Sequence, residues 1–137
     1  MLTVAGLVPH SGRMCLLETV ERWDDNSVVC TSRTHRDPDH PLRGSAGLLA
    51  VHLAEYGAQA TAVHGALRSG KKAQPGMLVA LRDVSFAVAR VDGIGAPLRV
   101  EANLQFADAN GSLYAFSVSA DGQLLASGRV QVMKTAA

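Results

Sequence analysis

The feature that most constrains this chain is the stretch from Ser45 to Leu67, which runs without a proline and is built almost wholly of small and aliphatic residues. Ala46, Gly47, Ala50, Ala54, Gly57, Ala58, Ala60, Ala62, Gly65 and Ala66 alternate with Leu48, Leu49, Val51, Leu53 and Val63. Such a segment reads as one long helix, with Ser45 placed to cap its N-terminus. It is apolar nearly all round, so it belongs inside the protein rather than half-exposed. Its small residues let other backbone come close. Ser69-Gly70-Lys71-Lys72 closes it with a glycine and positive charge, as helix C-termini favour.

A buried helix needs something wrapped around it, and the flanking sequence supplies strands. Leu16–Trp23 and Ser27–His35 read as two strands joined at Asp24-Asp25-Asn26. A loop follows from His35 to Gly44, marked by Pro38 and Pro41. Beyond Pro75-Gly76 the period returns to two. Met77–Val91 is long enough for a bent strand, followed by Pro97–Asp108, Ser112–Ala120 and Gln123–Lys134. The Asn110-Gly111 and Asp121-Gly122 pairs are strong hairpin signals. The expected architecture is α+β: two strands, one long central helix, then four strands in a meander forming one curved antiparallel sheet around it. With 137 residues and no linker or repeat, residues 1–137 form one expected domain.

Composition narrows the function classes. The net charge of +1 gives no global field for nucleic acid, and aromatics are 4% with none interleaved among basic residues. No stretch reaches the roughly 18 uncharged apolar residues of a membrane span. Met1–Gly6 has neither a basic nor a long apolar region of the secretory kind, so the expected location is the cytoplasm. Charged residues are only 18% while apolar ones are 47%, a balance that suggests further surface hidden in an oligomer. Cys15 and Cys30 belong to no CxxC pair and read as reduced core thiols.

The chemistry concentrates on Glu55, the only carboxylate between Asp39 and Asp83, placed mid-helix among apolar neighbours. Burying an unpaired carboxylate costs several kcal/mol or shifts its protonation, and a general acid working near neutral pH needs such an environment. A structural glutamate paired with an arginine is the competing reading. Gln59 lies one turn later on the same face, able to bond that carboxylate, a facing chain or a substrate. His52 shares the face as well, and His64 sits near the helix end as a structural group. His10, His35 and His40 lie in or beside loops that can aim a side chain into a cleft. The run His35-Arg36-Asp37-Pro38-Asp39-His40 matches no standard zinc spacing, so no metal is expected there. Gly44-Ser45-Ala46-Gly47 opens the expected helix, whose free amides could polarise a thioester carbonyl; a tight loop built for close packing is the alternative. Arg68, Lys71 and Lys72, with Arg36 and Arg43, form a basic cluster suited either to solvent or to an acidic partner.

Two motifs give the chain a resemblance. Leu7-Val8-Pro9-His10-Ser11-Gly12-Arg13-Met14-Cys15-Leu16-Leu17-Glu18-Thr19-Val20 resembles the N-terminal Leu-Pro-His…Leu-Leu-(Asp/Glu)-x-Val element of 3-hydroxyacyl-[acyl-carrier-protein] dehydratases of the hot-dog fold. Glu55-Tyr56-Gly57-Ala58-Gln59 is similar to the Glu-x-(Met or similar)-Ala-Gln motif on their central helix. The loop-to-helix stretch is most similar to the branch found in aryl polyene and xanthomonadin-type pigment biosynthesis. The resemblance implies a hot-dog homodimer with active sites between subunits. It also implies dehydration of a 3-hydroxyacyl thioester on an acyl carrier protein, or a CoA thioester, to the trans-2-enoyl product. Glu55 would then be the acid and His40 or His10 the base, with Gly44, Ser45, Gly47, Gln59 and His35 binding substrate. No cofactor is implied beyond the phosphopantetheine arm that the carrier brings. The register of the family's loop histidine falls on Pro41, one residue past His40. A hot-dog thioesterase, in which Glu55 works without a histidine, and a non-catalytic acyl-binding subunit are the alternatives.

Overall fold

The computed structural model describes residues 2–8, 12–70 and 77–134. Pro9, His10, Lys71, Lys72 and the Pro75-Gly76 turn lie outside the described residues. Seven strands form one antiparallel sheet: β1 (Leu2–Thr3), β2 (Thr19–Trp23), β3 (Ser27–Ser32), β4 (Met77–Phe86), β5 (Leu98–Asp108), β6 (Gly111–Ala120) and β7 (Gln123–Lys134). One helix, α1 (Leu53–Ser69), packs against β3, β5, β6 and β7. This is the hot-dog fold, a single helix held in the concave face of a curved sheet.

Local sequence explains the hairpins. Asp121 and Gly122 both have positive φ, 51° and 77°, as the tight turn between β6 and β7 requires. In the β2–β3 connection the Asp24 carboxylate accepts from the backbone of Asn26 and Ser27. Those bonds hold its carboxyl below the usual carboxylate range.

The strand order is β1-β2-β3-β5-β6-β7-β4. Only β5, β6 and β7 form the meander expected of four strands. β4 crosses to the far edge and pairs with β7, while β3 takes the place beside β5. The chain leaves the sheet after Phe86, so the last part of the expected strand, 87–91, serves elsewhere.

Residues 87–91 explain the largest correction, the start of the helix. Ala50 N–H donates to the Ala89 carbonyl and Val91 N–H to the Leu48 carbonyl, and Leu49 bridges Arg90 in extended backbone, so the chain at 48–49 is extended rather than helical. Upstream, Gly44 and Gly47 close a turn by exchanging N–H···O bonds of 3.1 and 3.0 Å. Gly47 has φ +90°, and a Cβ there would lie 2.6 Å from Asp92 Oδ1. Pairing with residues 89–91 outweighs helix propensity over 45–49, and Ser45 caps nothing. A 3-10 turn (Ala50–His52) leads into α1, which ends at Gly70 with φ 73°, the left-handed C-terminal glycine expected.

The helix interior matches its composition. Leu53, Tyr56, Gly57, Gln59, Ala60, Val63 and His64 are all buried. They meet a sheet face that includes Val28, Cys30, Val100, Ala102, Phe116, Val118 and Val130. Both cysteines are free, as expected, and burial pushes the Cys30 thiol up to about 12.

Candidate active site

With the helix beginning at Leu53, Glu55 lies in its first turn rather than mid-helix, and it is half-buried rather than enclosed. Tyr56, the next residue, is fully buried and points its hydroxyl at the loop that carries His40.

His40 is 4% exposed, and both ring nitrogens are engaged. Nδ1 accepts the Leu42 N–H at 3.1 Å, and Nε2 lies 2.9 Å from Tyr56 Oη. The two rings stack with centroids 6.1 Å apart. Burial lowers the pKa of His40 below the ordinary histidine value, an effect only partly opposed by the nearby Asp37 charge. The ring is therefore neutral at neutral pH. His40 lines a cleft of about 360 Å³ together with Cys15, Glu18, Thr34, Asp37 and Pro41. Glu55 is not part of that lining, so within one chain the cleft holds a histidine while the carboxylate stands one helix position away from its hydrogen-bond partner.

The other histidines divide cleanly. His35 is fully buried with Nε2 bonded to the Ile94 carbonyl, and its Nδ1 has no partner among the described residues. Burial depresses its pKa. That placement fits a group pinning the 92–96 loop, and it does not put His35 in the cleft as a substrate ligand. His64 accepts from Tyr114 Oη at Nδ1 and donates to the Asp24 carbonyl from Nε2, the structural role expected of it. His52 sits at the helix N-terminus without capping it through its side chain. His10 lies outside the described residues.

Gln59 is the second correction. Its amide nitrogen donates to the Met14 carbonyl at 2.6 Å and its oxygen accepts the Leu16 N–H at 2.8 Å. A buried carboxamide so paired holds the segment 14–16 against the helix; it is spent on backbone rather than on substrate or Glu55. Gly44, Ser45 and Gly47 are a third. They do not open the helix, and the Gly44 and Gly47 N–H groups each donate to the other residue's carbonyl, so these residues do not present helix N-terminal donors to a substrate carbonyl. Their loop is fastened by Asp92, whose carboxylate accepts from Leu48 N–H and from Arg90, with Arg43 at 3.7 Å. The Arg90 guanidinium holds the Asp92 carboxyl down at about 2.

Sequence reasoning passed over Tyr56, Thr34, the Leu16 carbonyl and Asp92. Tyr56 carried a signal: it is the only Phe, Tyr or Trp between Ser45 and Ser69 and adjoins Glu55. Thr34 and Asp92 carried none, because their partners are distant in the chain. Among the described residues no group of three or more His, Cys, Asp or Glu side chains converges on a metal-sized site, and no helix is long and apolar enough to cross a membrane.

Comparison with known proteins adds the family. The ApeP-like dehydratase family matches residues 2–137. The chain is similar in structure to a chain of the dehydratase heterocomplex ApeI:P from Xenorhabdus doucetiae, with a TM-score of 0.84 and 26% identity over 99% of this chain and 93% of that one. Two more distant likenesses show the fold alone. AziG of S. sahachiroi has TM-score 0.55 and 17% identity, covering 89% of this chain and 94% of that one. PaaI from the phenylacetic acid degradation operon of E. coli has TM-score 0.62 and 12% identity, covering 84% and 81%. No curated protein sequence matches the chain. The two motifs, the helix-in-sheet architecture and a family match across the described chain agree: the protein belongs to the ApeP-like dehydratases of the hot-dog fold.

Proposed function

We propose that this dehydratase removes water from a 3-hydroxyacyl thioester carried on an acyl carrier protein, giving the trans-2-enoyl thioester during polyene biosynthesis. The thioester acidifies the C2 proton, a neutral histidine removes it, and Glu55 protonates the departing C3 hydroxyl. The observation that carries the reading is the contact of His40 with Tyr56, which brings a neutral imidazole to the helical residue beside Glu55, at the edge of a cleft. His40 is the base in this reading, with His10 the rival from the N-terminal motif. No cofactor takes part; the phosphopantetheine arm arrives with the carrier, and the basic Arg36 and Arg43 suit an acidic partner. In this reading the reaction takes place in the cytoplasm.

The chain acts in a two-subunit assembly in this reading, through the free edge of β4, whose Val79 and Leu81 are 51% and 47% exposed. A second copy and a related hot-dog subunit are both suitable partners, and the relative from X. doucetiae is a heterocomplex. Purified protein, alone and co-expressed with a neighbouring hot-dog subunit, should be given a 3-hydroxyacyl carrier-protein thioester and followed by mass spectrometry. A loss of 18 Da from the acyl group (one water, by stoichiometry) is expected. Release of free acid instead would establish a thioesterase, and no turnover with either assembly would leave an acyl-binding subunit.

A further inference from the structure

We propose that Tyr56 is a positioning residue for the dehydration, holding His40, jointly with the Leu42 amide, in the tautomer that carries its proton on Nε2 and leaves Nδ1 as the only lone pair able to take a substrate proton. The inference rests on the reading of His40 as the base. Its support is a chain of hydrogen bonds whose direction is fixed at both ends by backbone groups.

At one end the Leu42 amide can only donate, so His40 Nδ1, 3.1 Å away, must accept and carries no proton. In a neutral ring the proton then lies on Nε2. At the other end the Leu16 carbonyl can only accept. Thr34 Oγ1 lies 2.7 Å from it and must donate to it. Ser32 Oγ donates to the same carbonyl at 2.6 Å, accepts the Thr34 N–H and lies 2.9 Å from Thr34 Oγ1, but a Thr34 proton turned toward Ser32 would leave Thr34 Oγ1 and the Leu16 carbonyl facing each other at 2.7 Å with no proton between them. With its own proton committed, Thr34 Oγ1 accepts from Tyr56 Oη, at 2.7 Å. Tyr56 Oη therefore accepts the Nε2–H of His40, at 2.9 Å. Every bond runs one way, from the Leu42 amide through His40, Tyr56 and Thr34 to the Leu16 carbonyl. Tyr56 is fully buried, and burial pushes its hydroxyl up to about 12, so it remains a donor across the working pH range.

The chain also has a cost for catalysis. The Nδ1 lone pair rests on the Leu42 amide, so a substrate proton reaches it only as that amide yields. The same Leu16 whose carbonyl ends the chain gives its N–H to Gln59, so the chain is anchored on the segment that the helix clamps.

The test uses the intact protein, with its partner subunit where activity requires one, labelled with nitrogen-15 in its histidines. Long-range proton–nitrogen spectra report which ring nitrogen of His40 is protonated, with His40→Asn giving the assignment. Wild type is expected to show protonated Nε2 and bare Nδ1. Tyr56→Phe removes the acceptor for Nε2–H, and Thr34→Val frees the tyrosine hydroxyl to donate toward Nε2. Both are expected to populate the Nδ1–H form and to lower kcat on the order of 10- to 100-fold with little change in KM. Unchanged His64 signals would show that the fold is kept. An Nδ1–H tautomer in wild type, or a tautomer unaltered in both variants, overturns the proposal. A wild-type tautomer as expected together with full activity in His40→Asn overturns the role of His40 as base, and with it any positioning role for Tyr56. The two failures are thereby told apart.

Discussion

Gln59 and Leu16, 43 residues apart in sequence, are joined by a 2.8 Å bond from the Leu16 amide to the Gln59 side-chain oxygen. The two motifs that mark the family therefore touch. The N-terminal element is not a separate arm but is clamped to the helix directly after the residues that carry Glu55 and Tyr56.

Gln59→Leu should be costly for this reason. It fills similar volume but leaves the part-buried Met14 carbonyl and the buried Leu16 amide without their partner. Each such group costs about 1–3 kcal/mol. Urea unfolding should show a loss of about 2–4 kcal/mol, with the slope unchanged. A loss below about 0.5 kcal/mol would mean that the clamp is dispensable.

Glu55→Gln should separate chemistry from folding. The residue is half-buried in the first helical turn, and the substitution keeps its shape. Dehydration should fall about 10²- to 10⁴-fold, the usual contribution of one general acid. Circular dichroism and melting temperature should stay close to wild type. Activity at the wild-type level would remove Glu55 from the mechanism.

Gly57→Ala should destabilise although alanine is the better helix former. The Phe116 ring of β6 occupies the space a Cβ at Gly57 would need, and Gly128 of β7 borders the same ring from another side. Phe116 is 3% exposed and has no room to withdraw. The propensity gain of about 1 kcal/mol is outweighed by overpacking of about 1–3 kcal/mol. A net fall in thermal stability is expected, and a rise would show that the ring shifts freely.

Stability should decline as pH falls below the ordinary histidine value. His35 and His40 both have pKa values lowered from 6.5, chiefly by burial. The unfolded chain then binds more protons than the folded one just below 6.5. The stability they contribute is complete above that pH and is lost as pH falls toward their folded values, after which the slope ends. Asp24 and Asp92 are lowered from 3.8, so their loss comes in a separate, more acidic window. Melting curves from about pH 8 to about pH 5 should show the histidine step, and His35→Asn with His40→Asn should flatten it. A wild-type melting point constant over that range would contradict the assignment.

What the sequence determined by itself is the local grammar. The density of Ala and Gly among aliphatics marks a buried helix within 45–67, and 53–67 of it forms one. The left-handed Asp121-Gly122 pair makes a two-residue hairpin whatever surrounds it. The isolation of Glu55 among apolar residues marks it before any fold is known. These features depend on neighbours a few residues away, so they are readable along the chain. The tertiary structure decided what depends on distant partners. Residues 45–49 have the composition of the helix, yet the Gly44–Gly47 turn and the pairing of 48–50 with 89–91 keep them out of it. β4 follows the helix, yet it pairs with the last strand because the helix carries the chain across the sheet to its far edge. Gln59 looked available to Glu55 by helical spacing, but two backbone groups from the N-terminal element claim both ends of its amide. The protonation of His40 is likewise set by Tyr56, Thr34 and two backbone groups that only the fold brings together. Hydrogen bonds of a buried polar group must be satisfied by whatever lies nearest in space, and no spacing along the sequence states what that will be.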